Sequence, residues 1–167
     1  MKKALFALSL VCTIFCSAAI FAQEQPEAKA EPEPQNLQKV ADDMKFQNGV
    51  LFMKLGLENK ALEELLEYLE IYSRGIHRNE ALMRIGDIHF GRMEYQKAQK
   101  YYRSLYEEYS DSDDGVEAYY KVGLCYKKMG YRDSASAIFN EILKEHGGSS
   151  FASQASLQVE LLSILSE

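Results

Sequence analysis

The chain has 167 residues, 25 acidic side chains against 19 basic ones, a formal net charge of −6, three cysteines, three prolines and no tryptophan. The acidic balance argues against nonspecific nucleic-acid binding, because that binding depends on lysines and arginines that neutralise phosphates. Cys125 is the only cysteine after residue 16, which excludes an internal disulfide or a cysteine-rich metal cluster from the body of the chain. Composition therefore favours a helical, partner-binding protein over an enzyme.

Residues 1–22 have the pattern of a secretory signal peptide. Lys2 and Lys3 precede nineteen uncharged residues that end in small side chains, which is the usual order of a basic start, an apolar stretch and a cleavage region. We expect cleavage after Ala22, with cleavage after Ala19 as the second choice. Removing the two lysines takes the net charge of the remainder from −6 to −8.

Two alternatives would tether the N-terminus to a membrane. Nineteen apolar residues approach the length of a membrane span, so an uncleaved anchor is one alternative. The other is lipidation at Cys16, although Ile14 and Phe15 stand where a lipoprotein signal places small residues. In each case the product leaves the cytoplasm. The compact signal is typical of bacteria and predicts a periplasmic location.

Residues 23–36 are predicted to be a disordered acidic linker. All three prolines lie within nine residues here, at Pro26, Pro32 and Pro34, among several glutamates. Proline disfavours helices and like charges repel, so this composition favours an extended, solvated spacer. The remaining residues, 37–167, suit one compact domain.

A repeat of 37 residues runs through that domain. Gly49, Gly86 and Gly123 are spaced 37 residues apart, each is followed twelve residues later by an alanine, and each alanine is followed four residues later by a large apolar side chain. A second alanine series keeps the same period. The alanines of the first series are Ala61, Ala98 and Ala135, the large residues are Leu65, Tyr102 and Phe139, and the second series is Ala81, Ala118 and Ala155. Such a repeat decides the architecture.

Each period is predicted to be a helix hairpin, because its apolar residues recur at helical spacing and glycines mark the turns. The predicted helices are 37–55, 58–73, 78–91, 94–109, 115–129, 132–146 and 150–166. They form three repeats at about 42–78, 79–115 and 116–152, followed by the terminal helix. Glycine inside a helix costs about 0.5–1 kcal/mol relative to alanine, so the periodic glycines are expected to let the two helices of a hairpin approach closely.

The sequence resembles the tetratricopeptide repeats. The resemblance rests on Ile85-Gly86 followed by Ala98 and Tyr102, on Val122-Gly123 followed by Ala135 and Phe139, and more weakly on Gly49, Phe52, Ala61 and Leu65. The period of 37 and the repeat ends at 108–112 and 145–149 are similar to the periplasmic branch of that family, which includes the Tol–Pal-associated cell-division coordinator and BamD-like outer-membrane assembly lipoproteins. The resemblance implies an all-α, right-handed superhelical solenoid without catalytic activity.

The resemblance also implies a partner-binding groove on the concave face, formed by the first helix of each hairpin. We call these positions the inner face. Its predicted members are Phe46, Val50 and Met53 in the first repeat, Met83, Asp87 and Phe90 in the second, and Tyr120, Leu124 and Lys127 in the third. The set is mostly apolar, and exposed apolar stripes mark interaction sites. The alternative is that some members pack inside the fold.

The predicted C-terminal helix is unusually apolar, with leucine at 157, 161, 162 and 165 and isoleucine at 164. Solenoid ends are normally capped by a helix with a polar outer face. The first interpretation is a cap that buries Leu157 and Leu161 against the third repeat. The alternatives are self-association through this helix or an extension of the groove.

The remaining candidates for chemistry favour structural roles. Cys125 is expected to be a buried thiol, and the three histidines at 77, 89 and 146 lack the spacing of metal ligands. Residues 111–115 lack the glutamate of a calcium loop and are expected to cap the next helix through aspartate. Tyrosines 95, 102, 106, 119 and 126 are expected to pack between helices, and Tyr101, Tyr109 and Tyr120 to be free for a partner.

The sequence therefore predicts a non-catalytic periplasmic scaffold that needs no cofactor or metal and binds a protein or peptide of the cell envelope, with no role for nucleic acid. The alternative is a membrane-tethered accessory factor in outer-membrane assembly or cell division. That alternative requires a lipidated or uncleaved N-terminus.

Overall fold

A computed structural model of the protein describes residues 34–164, so the predicted signal peptide, most of the predicted linker and Leu165 lie outside the described residues. Residues 34–164 form seven α-helices and no strand. The helices are α1 Pro34–Lys54, α2 Glu58–Ile71, α3 Arg78–Gly91, α4 Tyr95–Tyr109, α5 Asp113–Lys128, α6 Arg132–Glu145 and α7 Ser150–Ile164. None of them is both long enough and apolar enough to cross a membrane.

The helix α1 begins inside the predicted linker, three residues earlier than expected. Its first residue is Pro34. Proline is well tolerated in the first turn of a helix, because the N–H that it lacks would have no partner there and its fixed φ suits the helix. Pro34 therefore lies at the start of the described helical region, and residues 34–36, which the sequence places in the linker, are helical in the structure.

The helices pack in chain order, as in a solenoid. Each helix contacts the next one along the chain, and α5 also contacts α3 and α7. The hairpins α1–α2, α3–α4 and α5–α6 are thus stacked, and α7 follows at the position that the first helix of a fourth hairpin would take. This arrangement confirms the predicted all-α, tetratricopeptide-type solenoid of three hairpins and a C-terminal helix.

The repeated small residues stand where the two helices of a hairpin meet. The alanines Ala61, Ala98 and Ala135 are fully buried, as are their large neighbours. A Cβ atom added to Gly49 would lie 2.8 Å from the side chain of Leu65, and the rings of Tyr102 and Phe139 crowd Gly86 and Gly123 in the same way. The prediction that glycine allows close approach is confirmed.

The hydrophobic core has two parts. The first lies between α1, α2 and α3 and includes Phe46, Leu65 and Ile85, and the second spans α3 to α7 around Tyr102 and Phe139. Tyr101 packs against both parts. Tyr101 thus connects the two parts of the core, and the hairpins pack as one body.

Candidate partner-binding face

The inner face is only partly available at its N-terminal and central positions. Phe46, Val50 and Tyr120 are buried, whereas Asp87 is exposed. The other five predicted members are half-buried. They are Met53, Met83, Phe90, Leu124 and Lys127.

The prediction that Phe46, Val50 and Tyr120 line an open groove is wrong, because other side chains of the chain cover them. The ring of Phe46 stacks on the imidazole of His77 with the centroids 4.4 Å apart. The ring of Tyr120 lies between Phe139 and Phe151, at 5.5 and 5.8 Å. Burial also raises the pKa of the Tyr120 phenol. Tyr120 is thus a core residue and is not free for a partner.

Polar contacts join successive first helices along the inner face. The Lys121 ammonium of α5 lies 2.7 Å from a carboxylate oxygen of Asp87 on α3, and that oxygen also accepts a hydrogen bond from the buried Tyr102 hydroxyl at 2.7 Å. Farther along, Lys127 of α5 donates to Gln158 of α7 at 2.6 Å. Asp87 and Lys127, both predicted to contact a partner, therefore also fix the spacing between helices.

The C-terminal helix α7 exposes three apolar side chains. Leu157 is 54 % exposed and Leu161 is 39 % exposed, and Ile164 is also exposed. The buried residues of α7 are instead Ala152, Ala155 and Leu162. The prediction of a cap that buries Leu157 and Leu161 is therefore wrong.

The 37-residue period explains which side of α7 faces inward. Leu157 stands 37 residues after Tyr120, Leu161 stands 37 after Leu124, and Ile164 stands 37 after Lys127. By the same period Ala155 repeats Ala118 and Leu162 repeats Cys125, and all four of these are buried. The three exposed side chains are thus the inner-face positions of a fourth, unpaired helix. Extending the period into α7 is the signal that could have identified them from sequence.

The histidines have structural partners. His77 Nε2 lies 2.9 Å from a carboxylate oxygen of Asp43, and the buried His89 lies 2.6 Å from Glu94 through Nδ1. His146 contacts the hydroxyl of Tyr106 at 3.0 Å. Within residues 34–164 no group of three histidine, cysteine or acidic side chains is arranged to hold a metal ion.

The single cysteine of the described region is buried, as predicted. Cys125 has no exposed surface, and burial raises the pKa of its thiol to about 12. A thiol with that pKa is almost entirely protonated at neutral pH and is a poor nucleophile.

The segment before α5 caps the helix, although through a different residue from the one expected. The hydroxyl of Ser112 accepts a hydrogen bond from the backbone N–H of Gly115 at 3.0 Å. Asp113 and Asp114 occupy the first turn, where negative charge favours the helix dipole. Capping is confirmed, and the prediction that aspartate provides the cap is wrong.

A surface pocket of about 400 Å³ lies between α1 and the loop that joins α2 to α3. Its buried carboxylate, Asp42, accepts a hydrogen bond from the Tyr68 hydroxyl at 2.6 Å and another from the backbone N–H of Ile76 at 3.0 Å. Both oxygens of this carboxylate are thus engaged in holding the loop against α1. The sequence carries no pattern that predicts this contact.

The chain was compared with known proteins. A family model described as Intraflagellar transport protein 56 matches residues 7–161 of the 167. No curated protein matches the chain. The family match includes all seven described helices except the last three residues of α7, together with residues of the predicted signal segment. The chain therefore belongs to the family described as Intraflagellar transport protein 56.

Proposed function

We propose that the protein is a non-catalytic scaffold that binds another protein through the C-terminal half of its inner face. The observation that carries the proposal is the exposed row of Leu157, Leu161 and Ile164 at inner-face positions of α7. A helix that continues a solenoid register normally buries its apolar residues or ends in a polar cap. An apolar row left open at this place favours a partner.

The partner chemistry follows from the surface. The row is apolar along about two turns of α7, and its neighbours on α5 are Leu124 and Lys127, both half-buried. Such a strip suits one face of an amphipathic helix, which would place leucine- or isoleucine-type anchors against it. The hydrogen bond between Lys127 and Gln158 forms a polar rim beside the apolar strip, as at the edge of many protein interfaces.

Co-purification with matched variants tests this proposal. Leu161→Glu places a charge in the row, and Leu66→Glu places the same charge on α2 at a side chain that is 38 % exposed, against 39 % for Leu161. The proposal expects Leu161→Glu to lose the partner while Leu66→Glu keeps it, with equal helicity by circular dichroism. Equal recovery of the partner by both variants would overturn it.

The location that we propose is the bacterial periplasm, with binding to a protein of the cell envelope. Support comes from the signal-like composition of residues 1–22 and from the similarity of the repeats to the periplasmic tetratricopeptide branch. The tethered version, an accessory factor of outer-membrane assembly or cell division held through Cys16 or an uncleaved segment, uses the same binding row.

The second candidate is a subunit of a transport assembly of the kind that the matched family is named for, intraflagellar transport. The family match favours it, and the match begins at residue 7, inside the segment that a signal peptidase would remove. The intact mass of the protein isolated from its own cells separates the candidates. A chain that begins at Gln23 supports secretion, and a lipid on Cys16 supports tethering. Retention of residues 7–22 without lipid supports an uncleaved anchor if the protein is in the membrane fraction, and the second candidate if it is not.

A further inference from the structure

The first helix, α1, exposes an apolar face that the equivalent helices bury. Met44 is 63 % exposed and Leu51 is 52 % exposed, whereas Ala81 and Ile88, one period later, are buried against α2. The same positions are buried in the two later helices, at Ala118 and Cys125 in α5 and at Ala155 and Leu162 in α7. No helix precedes α1 within residues 34–164, and none of the described helices covers this side of α1.

An N-terminal extension enlarges this open face. The helix α1 has 21 residues and begins seven residues before the position equivalent to Arg78, the start of α3, which adds about 10 Å of helix. Leu37 and Val40 lie in the extension and are exposed. We define the α1 face as Leu37, Val40, Met44 and Leu51, which span about 21 Å of helix, together with Leu55 in the turn that follows, all exposed.

The α1 face carries no charge between Leu37 and Leu51. The other residues on this side of that stretch are Ala41, Gln47 and Asn48, none of which is ionisable, and the exposed Lys54 follows at the C-terminal end of the helix. Three charged residues of α1 turn the other way and contact α2 and the loop before α3. Asp42 bonds to Tyr68, Asp43 contacts His77, and Lys45 pairs with Glu64. In a two-fold contact each residue meets the same surface on the other copy, so an uncharged face avoids opposed like charges.

The residues of α1 differ from those that accept a preceding helix elsewhere in the solenoid. At the position where the later helices carry alanine, α1 carries Met44, and at the position of the fully buried Ile85 it carries Asn48. The longer side chain would hold a neighbouring helix farther away, and the amide would need a polar partner if buried. The α1 face is thus poorly suited to the second helix of another hairpin.

Head-to-tail stacking of copies is also disfavoured, because the opposite end of the solenoid is polar. Gly123 and Tyr119 of α5 face the second helix of their hairpin, through Phe139 and Glu141. The positions 37 residues later are Glu160 and Ser156, both exposed. The side of α7 that would receive the α1 face of another copy is therefore polar, and the apolar row of α7 lies on its inner side instead.

We propose that two copies of this chain pair through their α1 helices, α1 face against α1 face, about a two-fold axis. Leu37, Met44 and Leu51 are spaced by seven residues, which is the spacing that keeps one seam of a helix pair in register. Asn48 lies within the seam and restricts its alignment, as a polar residue does in a coiled coil. The pair presents two inner faces, so a partner with two binding segments gains avidity.

Sedimentation velocity of the full chain over about 1–300 µM tests the pairing, since a contact of this size lies at the low end of stable interfaces. Wild type and Leu66→Glu are expected to show the same monomer–dimer equilibrium. Met44→Glu and Leu51→Glu are each expected to weaken the dimer at least about 100-fold while leaving the circular dichroism spectrum unchanged.

A charge-complementation experiment tests the two-fold symmetry. Met44→Glu and Met44→Lys chains should each be monomeric alone and should form a mixed dimer when combined, because only the mixture brings opposite charges to the two faces. The proposal is overturned if the wild type stays monomeric over the whole range, or if Leu157→Glu abolishes a dimer that the α1 variants leave intact. Partner loss through Leu161→Glu is a separate measurement, so either proposal can fail alone.

Discussion

The ring of Phe139 packs so closely against Gly123 that a Cβ atom added to the glycine would lie 2.5 Å from the ring. The two residues belong to the two helices of one hairpin, and the same contact recurs between Gly49 and Leu65 in the first hairpin. A helical glycine is intrinsically unfavourable, so its recurrence every 37 residues is explained by the close approach that it permits.

Gly123→Ala is expected to destabilise the protein by about 1–2 kcal/mol. The new methyl group must displace a buried ring, which costs about 1–3 kcal/mol, and the better helix propensity of alanine offsets about 0.5–1 kcal/mol of that. Gly91→Ala is the matched control, because Gly91 also lies in a helix but has open space where its Cβ would be. Urea unfolding of both variants gives the comparison, and an equal effect at the two sites would contradict the packing explanation.

Asp42→Ala is expected to cost about 2–4 kcal/mol of unfolding free energy. The substitution leaves the buried hydroxyl of Tyr68 and the backbone N–H of Ile76 without the acceptor that they have now, and an unsatisfied buried donor costs about 1–3 kcal/mol. Asp42→Asn retains an acceptor oxygen and should lose less than half as much. If thermal or urea unfolding shows the two variants to be equally destabilised, the hydrogen bonds of Asp42 are not what holds the loop.

The protein is expected to lose stability as the pH rises above about 9. Burial raises the pKa values of Tyr68, Tyr102 and Tyr119, and the carboxylate that accepts a hydrogen bond from each hydroxyl raises them further. Each neutral phenol therefore contributes stability that is complete below its unfolded pKa of about 10 and is lost as the pH rises from there toward the folded pKa. The buried Cys125 thiol behaves in the same way, from its ordinary value toward about 12.

Urea unfolding at several pH values between 7 and 11 measures this loss. Tyr119→Phe removes one of the phenols with a raised pKa. Its free energy of unfolding should therefore fall less steeply with rising pH than that of the wild type. A free energy of unfolding that stays constant up to pH 11, or a pH dependence that Tyr119→Phe leaves unchanged, would contradict the role of these phenols in the alkaline loss of stability.

Cys125 is expected to resist alkylation in the folded protein. Its side chain is fully buried and its thiol is protonated, so modification requires opening of the α5–α6 hairpin. Mass spectrometry of the peptide that contains Cys125, after iodoacetamide treatment at pH 8, should show a rate at least about 100-fold below that in urea. Rapid modification without denaturant would show that the hairpin opens readily.

The periodic features of the fold could be predicted from the sequence, because the 37-residue repeat constrains every hairpin at once. The glycines, the alanines and the large residues after them all lie at the predicted contacts, and the helix ends agree within three residues. The burial of Cys125 likewise followed from its place in a helix between apolar neighbours.

The binding face was harder to predict, because burial there depends on contacts that the repeat does not share. Phe46 is covered by His77, and Tyr120 is covered by Phe151, which belongs to the terminal helix. The hydrogen bonds between Asp42, Tyr68 and Ile76 join residues 26 and 34 positions apart, a distance at which single residues leave no pattern. The exposed row on α7 resembles a buried cap in composition, because apolar side chains at a solenoid end are normally covered, and only their positions one period after Tyr120, Leu124 and Lys127 indicate the inner face.

Photo-crosslinking in intact cells tests the central claim most directly. A photoreactive amino acid is placed at Leu161 in the exposed row or at Leu66 on α2, two sites with almost the same exposure. The account predicts a discrete adduct with another protein from position 161, lost when Leu157→Glu is added, and no such adduct from position 66. The same adducts from both positions, or none from position 161, would contradict a partner-binding inner face.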